Sequence, residues 1–194
     1  MTEPAPPGGA AVSGRAAVSG ETPAVPGGTP AGHRFVYDCL LRWSDLDAFG
    51  HVNNARFLTL YEEARVAMMF TAAEAVGLTS FSDGIVIARH EVDYLAPVDY
   101  RMAPGPDPRP RVRIELWVED IRPSRFTVAY ELFAGAVLAG RARSVLVPFE
   151  LAHGRPRRLT EVEQAYLVPY LAAPARAPAS AAGAPAEGVG GRSS

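Results

Sequence analysis

Residues 42–54 read Arg42-Trp43-Ser44-Asp45-Leu46-Asp47-Ala48-Phe49-Gly50-His51-Val52-Asn53-Asn54, and the chain turns from loop to helix within them. Asn53 and Asn54 both suit a helix N-cap, because a short side-chain oxygen can accept from an amide one turn on. A helix is expected from Asn54 to Val76, with Gly77 as its stop. Its apolar residues do not form one stripe. Phe57, Leu60, Tyr61, Ala64 and Met68 make one face, and Leu58, Val66, Met69 and Phe70 cover much of the rest. Such a helix is buried on most sides.

The segments on either side supply its cover. A first strand is expected over Phe35–Arg42, followed by a polar loop, Ser44–His51. A second strand spans Ile85–Leu95 and ends at Ala96-Pro97. Val112, Ile114, Leu116 and Val118 then alternate with charged residues and Trp117, and Phe126, Val128, Tyr130 and Leu132 alternate in the same way. Period-2 alternation with one apolar face marks an antiparallel sheet covered on one side. Breaks at 121–124 and 134–135 suit hairpins. A last strand is expected over Val137–Val147, closed by Pro148, and a short terminal helix over Thr160–Leu171. The stretch Pro104–Pro110 reads as a loop. There is no internal repeat, and the order of elements gives an α+β domain.

Composition sets the outer limits. The chain has 194 residues and a formal net charge of -2, which offers no global argument for nucleic acid. The segments 1–32 and 173–194 are dominated by Ala, Pro, Gly, Ser and Thr. They hold too little apolar surface to offset ordering entropy and are expected to be disordered tails. The domain is therefore expected at 33–172, about 140 residues. The N-terminal segment lacks the apolar core of a secretory signal. No run approaches the roughly 20 apolar residues of a membrane span. A single Cys39 excludes an intrachain disulfide framework and fits a reducing, cytoplasmic setting, with a buried structural thiol expected. All 19 basic residues are Arg, the side chain best shaped for phosphate.

The loop itself is dense in chemistry. Two carboxylates, a His and two Asn stand directly before a helix N-terminus. The first amides of a helix lack intrahelical acceptors, and the dipole favours negative charge there. A carbonyl oxygen bound at that end would be polarised, and an oxyanion stabilised. Gly50 permits close backbone approach, and a nearby carboxylate can attack a carbonyl carbon or deprotonate water. No metal is indicated, since the His residues have no ligand spacing with Cys39. No phosphate-binding Gly-rich loop and no Gly-x-Ser-x-Gly elbow is present.

Asp45–Asn54, followed by Phe57, Tyr61 and Glu62-Glu63-Ala64-Arg65, resembles the signature of hotdog-fold thioesterases related to 4-hydroxybenzoyl-CoA thioesterase. It is also similar to the His-Val-Asn-Asn segment of plant acyl-ACP thioesterases. Asp93–Val98 resembles the family's second strand and following turn. The resemblance implies a long helix wrapped by an antiparallel sheet, and pairing into homodimers or tetramers of dimers. It further implies hydrolysis of an acyl-CoA, or acyl carrier protein, thioester without a cofactor. By the same likeness Asp47 is the attacking or water-activating carboxylate, with His51 and Asn53 beside it. The amides of Gly50 to Val52 would form the oxyanion site. Phe49 stands where the acyl-ACP enzymes carry Asn, so the role of His51 stays open. Another branch carries its carboxylate on the helix, which makes Glu62 or Glu63 the alternative. Glu62 and Arg65 also sit at ion-pair spacing.

Each residue has a plainer role beside the chemical one. Asp45 can simply brace the loop, Asn53 or Asn54 can do nothing but cap, and His90 and His153 suit structural or exposed roles. Arg122 and Arg125, flanking a hairpin turn, are candidates for the nucleotide phosphates of coenzyme A, with Arg89 and Arg143 behind them. A non-catalytic module that binds acyl-CoA or acyl carrier protein as a sensor is the competing function. Hydratase chemistry fits worse, because those enzymes resemble a pattern with five residues from Asp to His and an Asn-Pro between, whereas Asp47 and His51 are four apart.

Overall fold

The computed structural model describes residues 32–101 and 107–172. The expected tails lie outside these residues, save Gly32, and so do residues 104–106 of the loop expected over Pro104–Pro110. The elements run β1 (Phe35–Leu40), α1 (Asn54–Val66), β2 (Ile85–Tyr94), β3 (Arg111–Arg122), β4 (Arg125–Ala134), β5 (Val137–Glu150), β6 (Arg155–Pro156) and α2 (Glu161–Leu167). The strands pair in the order β1-β3-β4-β5-β2, with β6 on β5. All these pairings are antiparallel. The curled sheet wraps α1, as expected of a hotdog fold.

Strand alternation places the core. Val112, Ile114, Leu116 and Val118 of β3 and Phe126, Val128, Tyr130 and Leu132 of β4 are all buried, and they join one cluster with Phe57, Leu60, Tyr61, Ala64 and Met68 of α1. The opposite face of the sheet carries charge. There Arg34 binds Glu115 and Glu131, Arg141 binds Glu131, and Arg143 binds Glu119. Alternation of period 2 thus separates an apolar face from an ion-paired one.

The helix continues beyond α1 as a π-helical turn, Ala67–Ala72, before Gly77 stops it at φ +83°. Gly77 N donates to Glu74 O at 2.9 Å and Leu78 N to Ala73 O at 2.9 Å. This is the paired 5→2 and 6→1 closure that a glycine at that position allows. Two expected boundaries shift. β1 ends at Leu40, and Arg42 instead opens a 3-10 turn, Trp43–Asp45. β5 does not close at Pro148 but runs on to Glu150. Its pairing with β4 starts only at Phe126 opposite Leu146, so no strand asks residue 148 for an N–H. Phe149 N makes the next bond to β2's side, at Gly84 O, 2.9 Å. A proline is tolerated where the ladder needs no donor.

Gly140 of β5 sets how closely α1 can approach. A Cβ there would lie 2.6 Å from the Tyr61 hydroxyl and 3.1 Å from the Phe57 ring. The Tyr61 hydroxyl is itself buried without a hydrogen-bond partner among the described residues. Gly140→Ala is expected to cost about 1–3 kcal/mol through overpacking. Adding Tyr61→Phe should return part of that loss, since the deleted hydroxyl has no bond to forfeit. Urea midpoints of the single and double variants check both statements.

α2 closes one end of the barrel-like sheet through Glu163, whose side chain is fully buried. It accepts from Arg157 at 2.7 and 2.8 Å, Ser80 Oγ at 2.9 Å and Thr160 N at 2.7 Å. Burial alone would raise its carboxyl pKa. The Arg157 guanidinium, the Thr160 amide and the Ser80 hydroxyl outweigh burial and hold it below the usual carboxylate range. The folded state therefore binds this proton less readily than the unfolded chain. Its stabilisation is complete above the unfolded value, about 4.3, and is lost as pH falls below that toward the lowered folded value. Glu163→Gln should cost about 3 kcal/mol at neutral pH. The gap in melting temperature to the wild type should narrow in acid below that window.

Candidate active site

Asp45 and Asp47 fold the loop by different means. Asp45 is buried. Its Oδ2 accepts from Arg42 N at 2.8 Å, its carbonyl accepts from Asn53 N at 2.8 Å, and Arg56 Nε stands 3.9 Å from Oδ1. It braces both ends of the loop. Asp47 is only half buried, and its Oδ1 accepts from Phe49 N at 2.8 Å and from His51 N at 3.2 Å. Asp47 N donates to His51 O at 2.8 Å, and Gly50 N to Asp47 O at 3.2 Å, with Gly50 at φ +79°. Leu46 bridges to Val52 and His51 to Asp99. Asn53 is the N-cap of α1, its side chain accepting from Ala55 N at 2.9 Å. The motif is thus a closed loop whose exit is the positive end of α1.

These bonds change one expectation. The amides of Gly50 and Val52, expected to face a carbonyl oxygen, are spent inside the chain, on Asp47 O and on Val98 O at 2.8 Å respectively. The tight turn at Asp47 consumes the first, and the segment after β2 the second. The His51 side chain turns to Asp99, with Nε2 3.6 Å from Oδ1. Asp99 follows β2, 48 positions along from His51, a distance at which no sequence pattern would reveal the pairing.

The alternative carboxylates are each engaged by a cation. Glu63 lies 3.0 Å from Arg42 and accepts from the Cys39 thiol at 3.2 Å. Burial, and then the Glu63 charge, push that buried thiol far above its ordinary pKa. Glu62 makes the expected pair with Arg65, at 3.2 Å. Asp47, in contrast, enters no ion pair among the described residues.

The arginines expected to meet coenzyme A lie elsewhere. β1 runs Phe35 to Leu40 opposite Leu116 to Arg111, so the loop after β1 sits at the Arg111 end of β3. Arg122 ends that strand, about 36 Å away at 3.3 Å per residue. Arg122 pairs with Asp120 at 3.0 Å, and Arg125 starts the next strand beside it. One chain does not bring them to the loop. Arg89 and Arg143 are ion-paired on β2 and β5. Arg42, Arg56 and Arg101 stand at the loop end instead, with exposed Trp43 packed edge-on against Tyr100 at 5.8 Å. His90 is bonded to Ser144, and His153 is exposed beside Glu150. Among the described residues, no group of three His, Cys, Asp or Glu is placed to hold a metal ion. No helix among them is long and apolar enough to cross a membrane.

A family model described as the thioesterase-like superfamily matches residues 41–178. The chain belongs to that superfamily. Its fold is shared with solved structures of thioesterases. One is a predicted thioesterase from Bacillus stearothermophilus, 24% identical, with 72% of this chain and 97% of that one covered at a TM-score of 0.59. A thioesterase from Thermus thermophilus, solved with coenzyme A and zinc, is 28% identical over 68% of this chain and 90% of that one, TM-score 0.53. A 1,4-dihydroxy-2-naphthoyl-CoA thioesterase from Synechocystis is 19% identical over 70% and 96%, TM-score 0.56. No curated protein matches.

The sequence reading undervalued Arg65, treating it only as the partner of Glu62. It is buried and also donates to Tyr130 Oη at 3.4 Å. Its signal was present: a cation on the same helical face as Tyr61 and Met68. Asp45 is expected to matter for the loop's integrity. Asp45→Ala strips an acceptor from the Arg42 amide in a buried place and should cost about 1–3 kcal/mol, read as a lower melting temperature with faster amide exchange over 42–53.

Proposed function

We propose that the chain hydrolyses an acyl-CoA thioester to a carboxylic acid and coenzyme A, with Asp47 as the working carboxylate. The observation that carries this is the state of the three candidate carboxylates. Glu62 and Glu63 are neutralised by Arg65 and Arg42, while Asp47 sits unpaired among the described residues at the entrance to α1 and uses only Oδ1 to hold its loop. Membership of the thioesterase-like superfamily, and a coenzyme A complex of a 28% identical thioesterase, support the substrate class.

Asp47 acts as nucleophile or as base. As base, it takes a proton from water while the water oxygen bonds to the thioester carbon. The C–S bond then breaks, and the leaving thiolate receives the proton. Polarisation of the carbonyl falls to the positive end of α1, which begins at Asn54, because the Gly50 and Val52 amides are already bonded. His51, held near Asp99, and Asn53, the cap, position this end. Arg122 and Arg125 serve coenzyme A only across a subunit boundary. β2 is an edge strand with a free backbone row and an exposed Tyr94, so a homodimer is the assembly proposed. An acyl carrier protein in place of coenzyme A would meet the same thioester end.

A second reading has an observation behind it. The two amide bonds on Asp47 Oδ1 suffice to explain that residue as a loop stabiliser, which suits a sensor that binds the thioester without turnover. Asp47→Asn separates the two, because the replacement's amide oxygen can keep both bonds. Hydrolysis predicts kcat about 10²–10⁴ lower across a panel of acyl-CoAs, with an unchanged melting temperature. Thiol release at the wild-type rate in this variant would remove Asp47 from the chemistry, and none from either protein would favour the sensor.

A further inference from the structure

On edge strand β2, Tyr94 and His90 stand opposite Gly140 and Ser144 of β5, on the sheet face that meets α1, and both are exposed. Near the start of α1, Phe57 and Tyr94 meet edge to face at 5.2 Å, and Tyr94 Oη donates to Asn54 O at 3.1 Å. Further along the two elements the side chains turn polar. Arg65 of α1 reaches Tyr130 Oη of β4, and His90 Nδ1 of β2 is hydrogen-bonded to the buried Ser144 Oγ of β5 at 2.8 Å. These two pairs draw on four elements, and none of the four side chains belongs to the loop described above.

The electrostatics of this cluster are unbalanced. The Arg65 side chain is 9% exposed, and its carboxylate partner, Glu62, is 61% exposed. A guanidinium has five N–H donors. Among the described residues Arg65 makes two bonds, at 3.2 and 3.4 Å, both at the long end for a charged donor. Its other bonding partner is a neutral hydroxyl, and the His90 imidazole feels its charge. Burial, and then the Arg65 charge, hold His90 below its ordinary pKa, so at neutral pH the imidazole adds no positive charge of its own. A buried cation whose one counter-charge is largely in water costs stability unless an anion completes it.

We propose that Arg65, with the Tyr130 and Ser144 hydroxyls and His90, is a specificity site for the far end of the acyl group, and that it selects acyl chains ending in a carboxylate. This rests on the thioesterase reading, which places the reacting carbonyl at the start of α1. Arg65 lies eleven residues after Asn54, about 16 Å along the axis at 1.5 Å per residue. A chain of matching length lays its methylenes over Phe57 and Tyr94 and delivers its terminal carboxylate to the guanidinium. A methyl-ended chain of the same length would leave the cation unpaired and bring an apolar end to it.

Binding of non-hydrolysable thioether analogues of acyl-CoA tests this without requiring turnover. Carboxylate-ended and methyl-ended analogues of equal length, across a series of lengths, are titrated calorimetrically into the full chain. The wild type is expected to favour the carboxylate-ended analogue at the matching length by about tenfold or more. Arg65→Met should bring that ratio close to one. Tyr130→Phe, which deletes one hydroxyl with little change of shape, should reduce it severalfold and keeps the test open if the Arg65 variant does not fold. Equal binding of the two analogues at every length overturns the proposal. So does an Arg65→Met protein that keeps the wild-type ratio. Parallel thiol-release assays on the hydrolysable substrates report on the thioesterase reading separately: selective binding with no release would sink that reading and leave the carboxylate site standing.

Discussion

The fit of α1 against Gly140 is the constraint on which the remaining geometry depends. A helix that carries two aromatic rings, Phe57 and Tyr61, on the face turned toward a sheet strand needs a gap in that strand. The missing side chain at residue 140 supplies it. Once α1 is seated, its N-terminus, its cap Asn53 and the loop tied back to Asp45 have one available position. The same seating leaves His90 and Tyr94 of β2 exposed beside the helix. The loop and the Arg65 cluster therefore both depend on one packing decision, and a shift of the helix would disturb both.

The fold was largely legible because its signals were periodic and strong. Alternation over Val112–Val118 and Phe126–Leu132 located two central strands and their buried faces. The Asn53 cap and the Gly77 stop located the ends of the long helix. The misread boundaries share a cause: Arg42 and Pro148 were judged by local propensity, while the structure decided them by what the neighbouring strand required. Pro148 continues a strand because β4 has no partner left to offer there, which no inspection of residues 137–150 alone would show.

The site was legible in composition and less so in use. The motif Asp45–Asn54 identified the region, the bracing role of Asp45 and the capping role of Asn53. It did not reveal that the Gly50 amide closes the loop on itself and that the Val52 amide is taken by Val98, since backbone bonding depends on turn geometry and on distant segments. Arg122 and Arg125 stand away from the loop within one chain for a topological reason. Residues next to a turn look equally available from sequence, but strand register sends that turn to the opposite end of the sheet. Arg65 was hidden by an adequate local explanation, the i,i+3 pair with Glu62. Only the depth of its burial shows that the pair is incomplete.

The ion-paired outer face of the sheet has a chemical consequence as well as a structural one. Its cations are all guanidinium groups, as are all the basic side chains in the chain. A lysine amine, in the fraction that loses its proton, is a nucleophile that activated acyl groups modify spontaneously. A guanidinium stays protonated throughout the range in which proteins work. A member of the thioesterase-like superfamily built this way meets reactive acyl donors with no side-chain amine for them to label. Its charged surface is chemically inert toward the compounds that its family handles.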